Sequence, residues 1–371
     1  MQCLLVIWTS LPLGLVAAPP VRAWQEVPQR LPPVEELEEL EEDVTELLVP
    51  AEMPAGVAPA QASEVADEPR APARSALPGA GGERSPLQVS AFWMPAADLT
   101  TQEGDLSLVG SGLNVGFPLK VLPDGMLLAT GSVHRLDIGG SAMLPDSGVP
   151  LPDELWKVQA GTMHMRQWDN GWRTGAMVSV GTASDAPFAS LREMTATVVG
   201  FLNVPSGAQN AWNFSLFYAP ASQIPFPIPG VAFDWHASDQ VQVKIGIPFS
   251  VQYCPTEQTT LSATYMPLTN VRLLARQQLC PAWQLYGGYE VTNDTYFLAD
   301  RANANDRLYF FDQRLRLGLA RKLLWGLNAD LSTAFIFDRE IFQAASFSSD
   351  RRDVIGIESG PLGVFSIFWQ R

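Results

Sequence analysis

The sequence predicts an all-β protein, a single antiparallel up-and-down transmembrane β-barrel preceded by a disordered N-terminal arm. Hydrophobicity alternates with period two after residue 86, which places apolar and polar side chains on opposite faces of each strand. Turn residues such as Gly, Pro, Asn and Asp separate the alternating runs. Charged residues are only 17% of the 371 residues and aromatic residues are 10%, a balance that suits an outer surface in contact with lipid.

The first 23 residues are expected to be a signal peptide. Leu4 to Ala18 form an apolar run that is too short to span a bilayer as a helix. Val21-Arg22-Ala23 provides small residues for cleavage. No Lys or Arg precedes the apolar run, so this leader is atypical.

Residues 24–86 are expected to form an acidic, Pro- and Ala-rich disordered linker. Residues 1–86 carry 14 acids and 5 bases, so most of the net charge of −15 lies here. A leucine stripe over residues 35–48 is compatible with a short helix, but we favour a solvated or disordered segment. The chain has no Lys/Arg cluster, which argues against nucleic-acid binding.

Residues 87–371 are predicted to form the barrel. The run from Val241 to Tyr253 alternates apolar with polar or small residues, and so does the run from Leu327 to Phe337. Asp169-Asn170-Gly171 lies between two tryptophans and is the strongest hairpin signal in the chain. Counting such runs predicts about 12 strands, within a range of 10 to 14.

A membrane barrel and a soluble sandwich share this alternation, and other features must separate them. The runs are close to the 9–11 residues that cross a bilayer when tilted. Aromatic residues crowd the predicted strand ends, as expected of interfacial girdles. An exported barrel of this kind is expected in the outer membrane, in contact with its lipid. The closing run with Phe365, Ile367 and Trp369 resembles the strand that barrel-insertion machinery recognises, but the chain ends in Arg371.

Cys254 and Cys280 are the two cysteines that remain after the predicted leader. In an oxidising compartment they could form one disulfide. We favour the alternative that they are two small apolar residues at strand ends, because the sequence does not give the Cα separation that a disulfide requires.

The polar faces of the predicted strands identify the side chains that would line the barrel. These residues are Lys244, Arg272, Arg276, Arg314, Arg316, Asn328 and Asp330. If the barrel is open, its arginines favour anions. The alternative is an interior filled by paired arginine and aspartate side chains, and the sequence leaves both open.

The segment from Asn293 to Asp312 is the richest in polar residues. We expect an ordinary solvated loop, with cation binding or pore gating as the functional alternative. Three scattered histidines, His134, His164 and His236, have no metal-spaced neighbours. No catalytic motif is present, so neither an enzyme nor a cofactor is expected.

Three segments carry a family resemblance: Pro229-Gly230-Val231 leading to Trp235, Tyr265 to Val271, and Tyr296 to Arg301. The chain resembles an uncharacterised family of outer-membrane-barrel-like proteins, found largely in planctomycete-type bacteria. The resemblance implies location and architecture, and no activity. The leading functional hypothesis is a small channel or transport barrel of unknown solute. The alternatives are a structural or adhesion barrel whose acidic arm contacts periplasmic partners, and an outer-membrane enzyme acting on lipids.

Overall fold

The computed structural model describes residues 86–219, 226–266, 270–301, 303–347 and 349–369. The signal peptide and the helix predicted at 35–48 lie outside the described residues, as does the acidic linker up to residue 85. In the described part of the chain, no helix is both long and apolar enough to cross a membrane.

Seventeen strand segments make up nearly all of the described structure. They are β1 (Leu87–Asp98), β2 (Asp105–Leu122), β3 (Gly125–Gly140), β4 (Glu154–Gln167), β5 (Arg173–Ser184), β6 (Met194–Ser206), β7 (Asn210–Tyr218), β8 (Ile228–Ser238), β9 (Val241–Gly246), β10 (Phe249–Thr256), β11 (Thr259–Met266), β12 (Asn270–Cys280), β13 (Trp283–Tyr296), β14 (Arg307–Lys322), β15 (Leu327–Ala344), β16 (Arg352–Ile357) and β17 (Gly360–Trp369).

Every strand pairs antiparallel with its neighbour, and β1 pairs with β17 to close the barrel. Both β16 and β17 pair with β15, through Ile357 opposite Arg339 and Gly360 opposite Ile336. These two segments therefore share one position, and the seventeen segments form a barrel of sixteen positions. The predicted antiparallel all-β barrel is confirmed, and the predicted number of about 12 strands is wrong.

The strand count is too low partly because alternation can continue through a turn. The run from Val241 to Tyr253 is two strands, β9 and β10, which reverse direction around Ile247. In this hairpin Lys244 pairs with Ser250, so paired residues have the same parity and the alternation passes through the turn without interruption. Gly246 has φ +141°, a conformation that favours glycine.

At one end of the barrel, the turn end, every connection has two to five residues, whereas the other end, the loop end, carries the longest connections together with the short β9–β10 turn. At the turn end, the predicted hairpin at Asp169-Asn170-Gly171 is confirmed: β4 and β5 meet there, and Trp168 N donates to Trp172 O at 2.8 Å. Gly171 has φ +82°, which explains the glycine. The loop end carries the connections 99–104, 141–153, 185–193, 297–306 and 345–351.

An apolar belt surrounds the outer face of the barrel. Every strand except β4 and β16 contributes an exposed large apolar side chain to it. Representatives in strand order are Val89, Leu113, Val133, Val180, Val198, Leu216, Val231, Ile245, Phe249, Leu261, Leu273, Leu285, Leu317, Leu331 and Phe365. Of the nine tryptophans in the described residues, seven lie at the turn end. A closed barrel with such a belt and an aromatic girdle is the form of a membrane-spanning β-protein.

The barrel wall is tall on one side and low on the other. The tall wall includes β2 and β15, with 18 residues each, and β3 and β14, with 16 each. The low wall includes β7 with 9 residues, β9 with 6, and β10 and β11 with 8 each. The apolar core lies inside the loop end of the tall wall, where Leu106, Leu155, Leu308, Ile336 and Ile355 are completely buried.

No disulfide joins Cys254 to Cys280, and both are thiols in the structure. Cys254 is on β10 and Cys280 is on β12, with β11 between them. Neighbouring strands are about 4.8 Å apart, so two spacings exceed the Cα separation of about 7 Å that a disulfide tolerates. The disulfide considered from the sequence is therefore not formed.

Candidate functional site

The loop end of the barrel is pinched between two opposite strands. β5 and β13 are eight positions apart in a ring of sixteen, so in a circular barrel they would face each other across its full diameter. Instead, Phe297 N donates to Ala183 O at 2.7 Å, and Ser184 forms a parallel bridge with Phe297. The interior near the loop end is thus divided into a tall side and a low side.

Ionic contacts reinforce this division. Lys157 on β4 contacts Asp294 on β13 at 2.5 Å, reaching across the interior. At the loop end, Arg301 in loop 297–306 approaches Glu193 in loop 185–193 at 3.7 Å, and both side chains are only 3% exposed. We call these contacts, together with the Ala183–Phe297 hydrogen bond, the partition.

The Glu193 carboxylate is held in its charged form. Burial raises the pKa of this carboxyl, but hydrogen bonds from the Ser190 hydroxyl and backbone, together with the charge of Arg301, outweigh burial and lower it from 4.5. Both Ser190 hydrogen bonds are 2.7 Å long. Arg301 also donates to the backbone oxygens of Arg192 and Leu298 at 2.8 and 2.7 Å, so the loop is fixed by several bonds.

The prediction that the segment from Asn293 to Asp312 is an ordinary solvated loop is wrong, because most of this segment belongs to strands and to the partition. Strand β13 continues to Tyr296 and β14 begins at Arg307, so the loop is only 297–306. Asp306 and Asp312 are buried. The prediction failed because polar side chains on the inner face of a barrel look, in sequence, like the side chains of a solvent-exposed loop.

The tall side is filled and covered at its loop end. Loop 141–153 contributes Leu144 and Leu151 to the core. Asp353 holds this loop in place, because its Oδ1 accepts from the backbone of Asp146 at 2.8 Å and of Ser147 at 3.0 Å. In return, Asp353 N donates to Asp146 Oδ2 at 2.7 Å. Core packing and these bonds leave little room for a passage through this end.

The low side has a different interior. Its inward side chains are mostly polar and many are partly exposed even though the barrel is closed around them. They include Thr195, Thr197, Asn203, Asn213, Ser215, Gln242, Ser250, Ser262, Thr264, Arg272 and Arg276. Side chains inside a closed wall are accessible only if the space they face is unfilled. The low side therefore contains a polar space along the barrel.

All seven residues predicted to line the barrel lie on its inner face, but in two groups. Lys244, Arg272 and Arg276 are on the low wall, on β9 and β12. The tall wall carries the remaining four, Arg314, Arg316, Asn328 and Asp330, on β14 and β15.

The low-wall charges mostly pair with the adjacent strand. Lys244 approaches Asp234 at 3.4 Å, and Arg272 approaches Glu290 at 2.8 Å. Such pairs run along the wall and leave the space beside them unobstructed.

The tall-wall polar residues form a similar network along the wall. Arg316 is 3.6 Å from Asp330 and donates to Ser332 Oγ at 2.9 Å. Tyr286 O–H donates to Asp330 Oδ1 at 2.8 Å. Arg314 makes two bonds to Asp312, at 2.6 and 2.9 Å, and Asn328 donates to a backbone oxygen of the nearby turn.

The inner face of the low side has an excess of bases. Arg173, Lys244, Arg272 and Arg276 face inward from β5, β9 and β12, against Asp234 on β8 and Glu290 on β13. The remaining inward acid, Asp294, is paired with Lys157 in the partition. The polar space therefore has a net positive wall.

The sequence pattern did not predict a role for Lys157 or Glu193. Lys157 shares the inward parity of Leu155 and Gln159 on β4, so its inward position could have been predicted. Its contact with Asp294 could not, because 137 residues separate the two. Of the histidines, His134 faces inward and bonds to Asn114 Oδ1 at 3.1 Å, while His164 and His236 lie on β4 and β8.

Comparison with known proteins gives one domain match and several structures. Residues 146–281 match a domain of unknown function (DUF6268). No curated protein sequence matches the chain significantly. An outer-membrane channel from Pseudomonas putida F1 is 9% identical over 79% of this chain and 99% of its own, with a TM-score of 0.36.

Two other solved barrels are similar to a comparable degree. The TodX monoaromatic hydrocarbon channel is 11% identical, over 77% of this chain and 89% of its own, with a TM-score of 0.32. A porin from Rh. blastica is 9% identical, over 76% and 98%, with a TM-score of 0.26. These scores are low, and the architecture rests on the strand pairing described above.

Proposed function

We propose that this protein is an outer-membrane channel, and that small hydrophilic anions pass through the low side of the barrel. The observation that carries the proposal is the set of partly exposed polar side chains on the inner face of the closed low wall. Ions cannot pass through the loop end of the tall side, because the apolar core fills it and loop 141–153 covers it.

The outer membrane is the proposed location because of the barrel itself. Barrels of this kind have short periplasmic turns and longer extracellular loops. By this rule, the turn end of the present barrel faces the periplasm. The ends of β1 and β17 at Leu87 and Trp369, which pair with each other, then lie on the periplasmic side.

Anion preference follows from the unbalanced bases. A unit charge about 8 Å from an ion in water contributes about 0.5 kcal/mol, roughly a twofold change in local concentration. The excess of two inward bases over inward acids on the low side then favours anions severalfold at low salt, and salt weakens the preference by screening.

Planar-bilayer recording of the purified, heat-modifiable barrel tests the proposal. Discrete conductance steps are expected, with a reversal potential in a KCl gradient that shows Cl⁻ preference. Arg276→Gln on the low wall should reduce the Cl⁻/K⁺ permeability ratio by about twofold.

Arg135→Gln is the matched control. Arg135 is paired with Asp137 and Glu154 on the outer face, so its loss should leave the permeability ratio unchanged. Bilayers that stay silent with correctly folded protein would refute the channel and favour a structural barrel. Equal effects of the two variants would refute the low-side path.

A further inference from the structure

A second internal space lies on the tall side of the partition. It is a cavity of about 310 Å³ between β1–β4 and β13–β14. The apolar core and loop 141–153 cover its loop end. Its lining lies on the tall wall and on the partition pair Lys157–Asp294, so the proposal for this cavity uses other side chains than the low-side path.

The wall of this cavity changes from apolar to polar in the same direction on several strands. Towards the loop end the lining is Met94, Leu108, Leu136, Tyr296 and Phe310. Nearer the turn end by one or two inward positions, four of these strands present polar side chains, Ser90, His134, Asp294 and Arg314. The cavity is therefore amphipathic along the barrel axis.

The inward charges at the polar end form ion pairs but keep unused hydrogen-bonding capacity. Lys157 is paired with Asp294, and Arg314 with Asp312. The Asp294 side chain is 59% exposed although it lies inside the barrel, because it faces this cavity. Within the described residues, only its Oδ1 accepts a hydrogen bond, from Lys157. Its Oδ2 can accept a bond from a ligand, while Arg314 retains donors beyond the two used for Asp312.

The apolar end is mainly aromatic. Tyr296 and Phe310 are edge to face, with ring centroids 5.7 Å apart. The Phe92 ring lies flat against β2 at Gly110, where a Cβ would approach a ring carbon to 1.9 Å. A flat ring leaves the space beside it unfilled, and aromatic faces and edges favour an aromatic guest.

We propose that this cavity binds a neutral aromatic molecule that carries a hydroxyl group. The ring would occupy the end formed by Phe92, Tyr296 and Phe310. The hydroxyl would donate to Asp294 and accept from Arg314. A charged guest is disfavoured, because the two ion pairs leave no opposite charge to compensate it.

Equilibrium dialysis with 1-naphthol tests the proposal on the intact, folded barrel in detergent, with protein-free micelles as the reference. Saturable binding of one molecule per chain is expected. Naphthalene should bind about tenfold more weakly, because it leaves the polar end unsatisfied. Naphthalene binding as tightly as naphthol, or only linear partitioning of both, would overturn the proposal.

Two size-matched variants locate the site. Ser90→Phe fills the cavity and should weaken naphthol binding by at least about tenfold. Ser250→Phe makes the same change on the inner face of β10, on the low side, and should leave binding within about twofold. Equal loss in both variants, or none in Ser90→Phe, would contradict this assignment. If Ser90→Phe does not fold, the comparison of naphthol with naphthalene on the unchanged protein still decides.

Discussion

At the scale of single residues, glycines determine how much of the interior stays open. On the low side, the Phe201 ring lies against β5 at Gly175, where a Cβ would come within 2.1 Å of a ring carbon. The same arrangement places Tyr286 against Gly318 and His134 against Gly112. In each case a missing side chain on one strand lets a ring on the next strand lie flat along the wall.

We therefore expect Gly175→Val to push the Phe201 ring away from the wall and into the polar space. The single-channel conductance should fall by about half, because one ring fills a large part of a narrow path. Gly200→Val is the control, because Gly200 faces outward and a Cβ there meets nothing within 4 Å. Unchanged conductance in a folded Gly175→Val protein would contradict the low-side path.

At the scale of elements, loop 297–306 holds the partition closed from the loop end. Arg301 is buried against Glu193, and removing one partner of a buried pair leaves the other charge uncompensated. Ala299 N adds a bond to Asp185 Oδ1 at 2.9 Å. The loop is thus fastened to the β5–β6 connection by ionic and backbone contacts together.

Arg301→Ala should detach this loop, at a cost of about 3 kcal/mol to its docked state. Amide hydrogen exchange of residues 297–301 should then accelerate by about a hundredfold. Arg351→Ala removes a more exposed ion pair with Glu340 and should have little effect on that segment. Exchange rates that are the same in Arg301→Ala and the unaltered protein would rule out this role.

The contact between Arg301 and Glu193 should also depend on pH. The pKa of Glu193 is lowered in the docked loop, so the detached state binds more protons at low pH and acid favours detachment. The contact is fully stable above the ordinary glutamate value of 4.5 and is lost as the pH falls through the lowered value. Hydrogen exchange of residues 297–301 should accelerate over that interval. In Glu193→Gln, the pH-dependent acceleration of exchange should disappear, because the side chain no longer titrates.

At the scale of the whole molecule, the tall wall stabilises the fold and the low wall surrounds the proposed passage. The tall wall packs its inner face into an apolar core, and burial of each large aliphatic side chain there stabilises the fold by about 1.5–3 kcal/mol. The low wall keeps its inner face polar and unfilled. The barrel can therefore contain a passage without depending on the packing beside that passage.

Leu308→Ala should destabilise the barrel by about 2–5 kcal/mol, because it leaves a void among completely buried side chains. The temperature of heat-modifiable gel migration should fall accordingly. Leu331→Ala is the matched control: Leu331 is 66% exposed on the outer face, so its truncation creates no internal void. Equal midpoints for the two variants would show that the core does not carry the stability.

The pattern of residues by itself determined the strand chemistry, the inner face and the hairpin at Asp169-Asn170-Gly171. Period-two alternation fixes which side chains share a face, and it placed Lys244, Arg272 and Arg316 inward. It could not fix the strand number, because a hairpin such as β9–β10 can keep the same parity on both of its strands.

Only the tertiary structure decided which inward side chains meet across the barrel. Ala183 and Phe297, or Lys157 and Asp294, become neighbours only when the ring of sixteen positions closes and flattens. Closure and flattening depend on the packing of many strands at once, and no local pattern encodes them. The sequence therefore determined a barrel with a polar interior, whereas the fold divided that interior into a filled side and an open one.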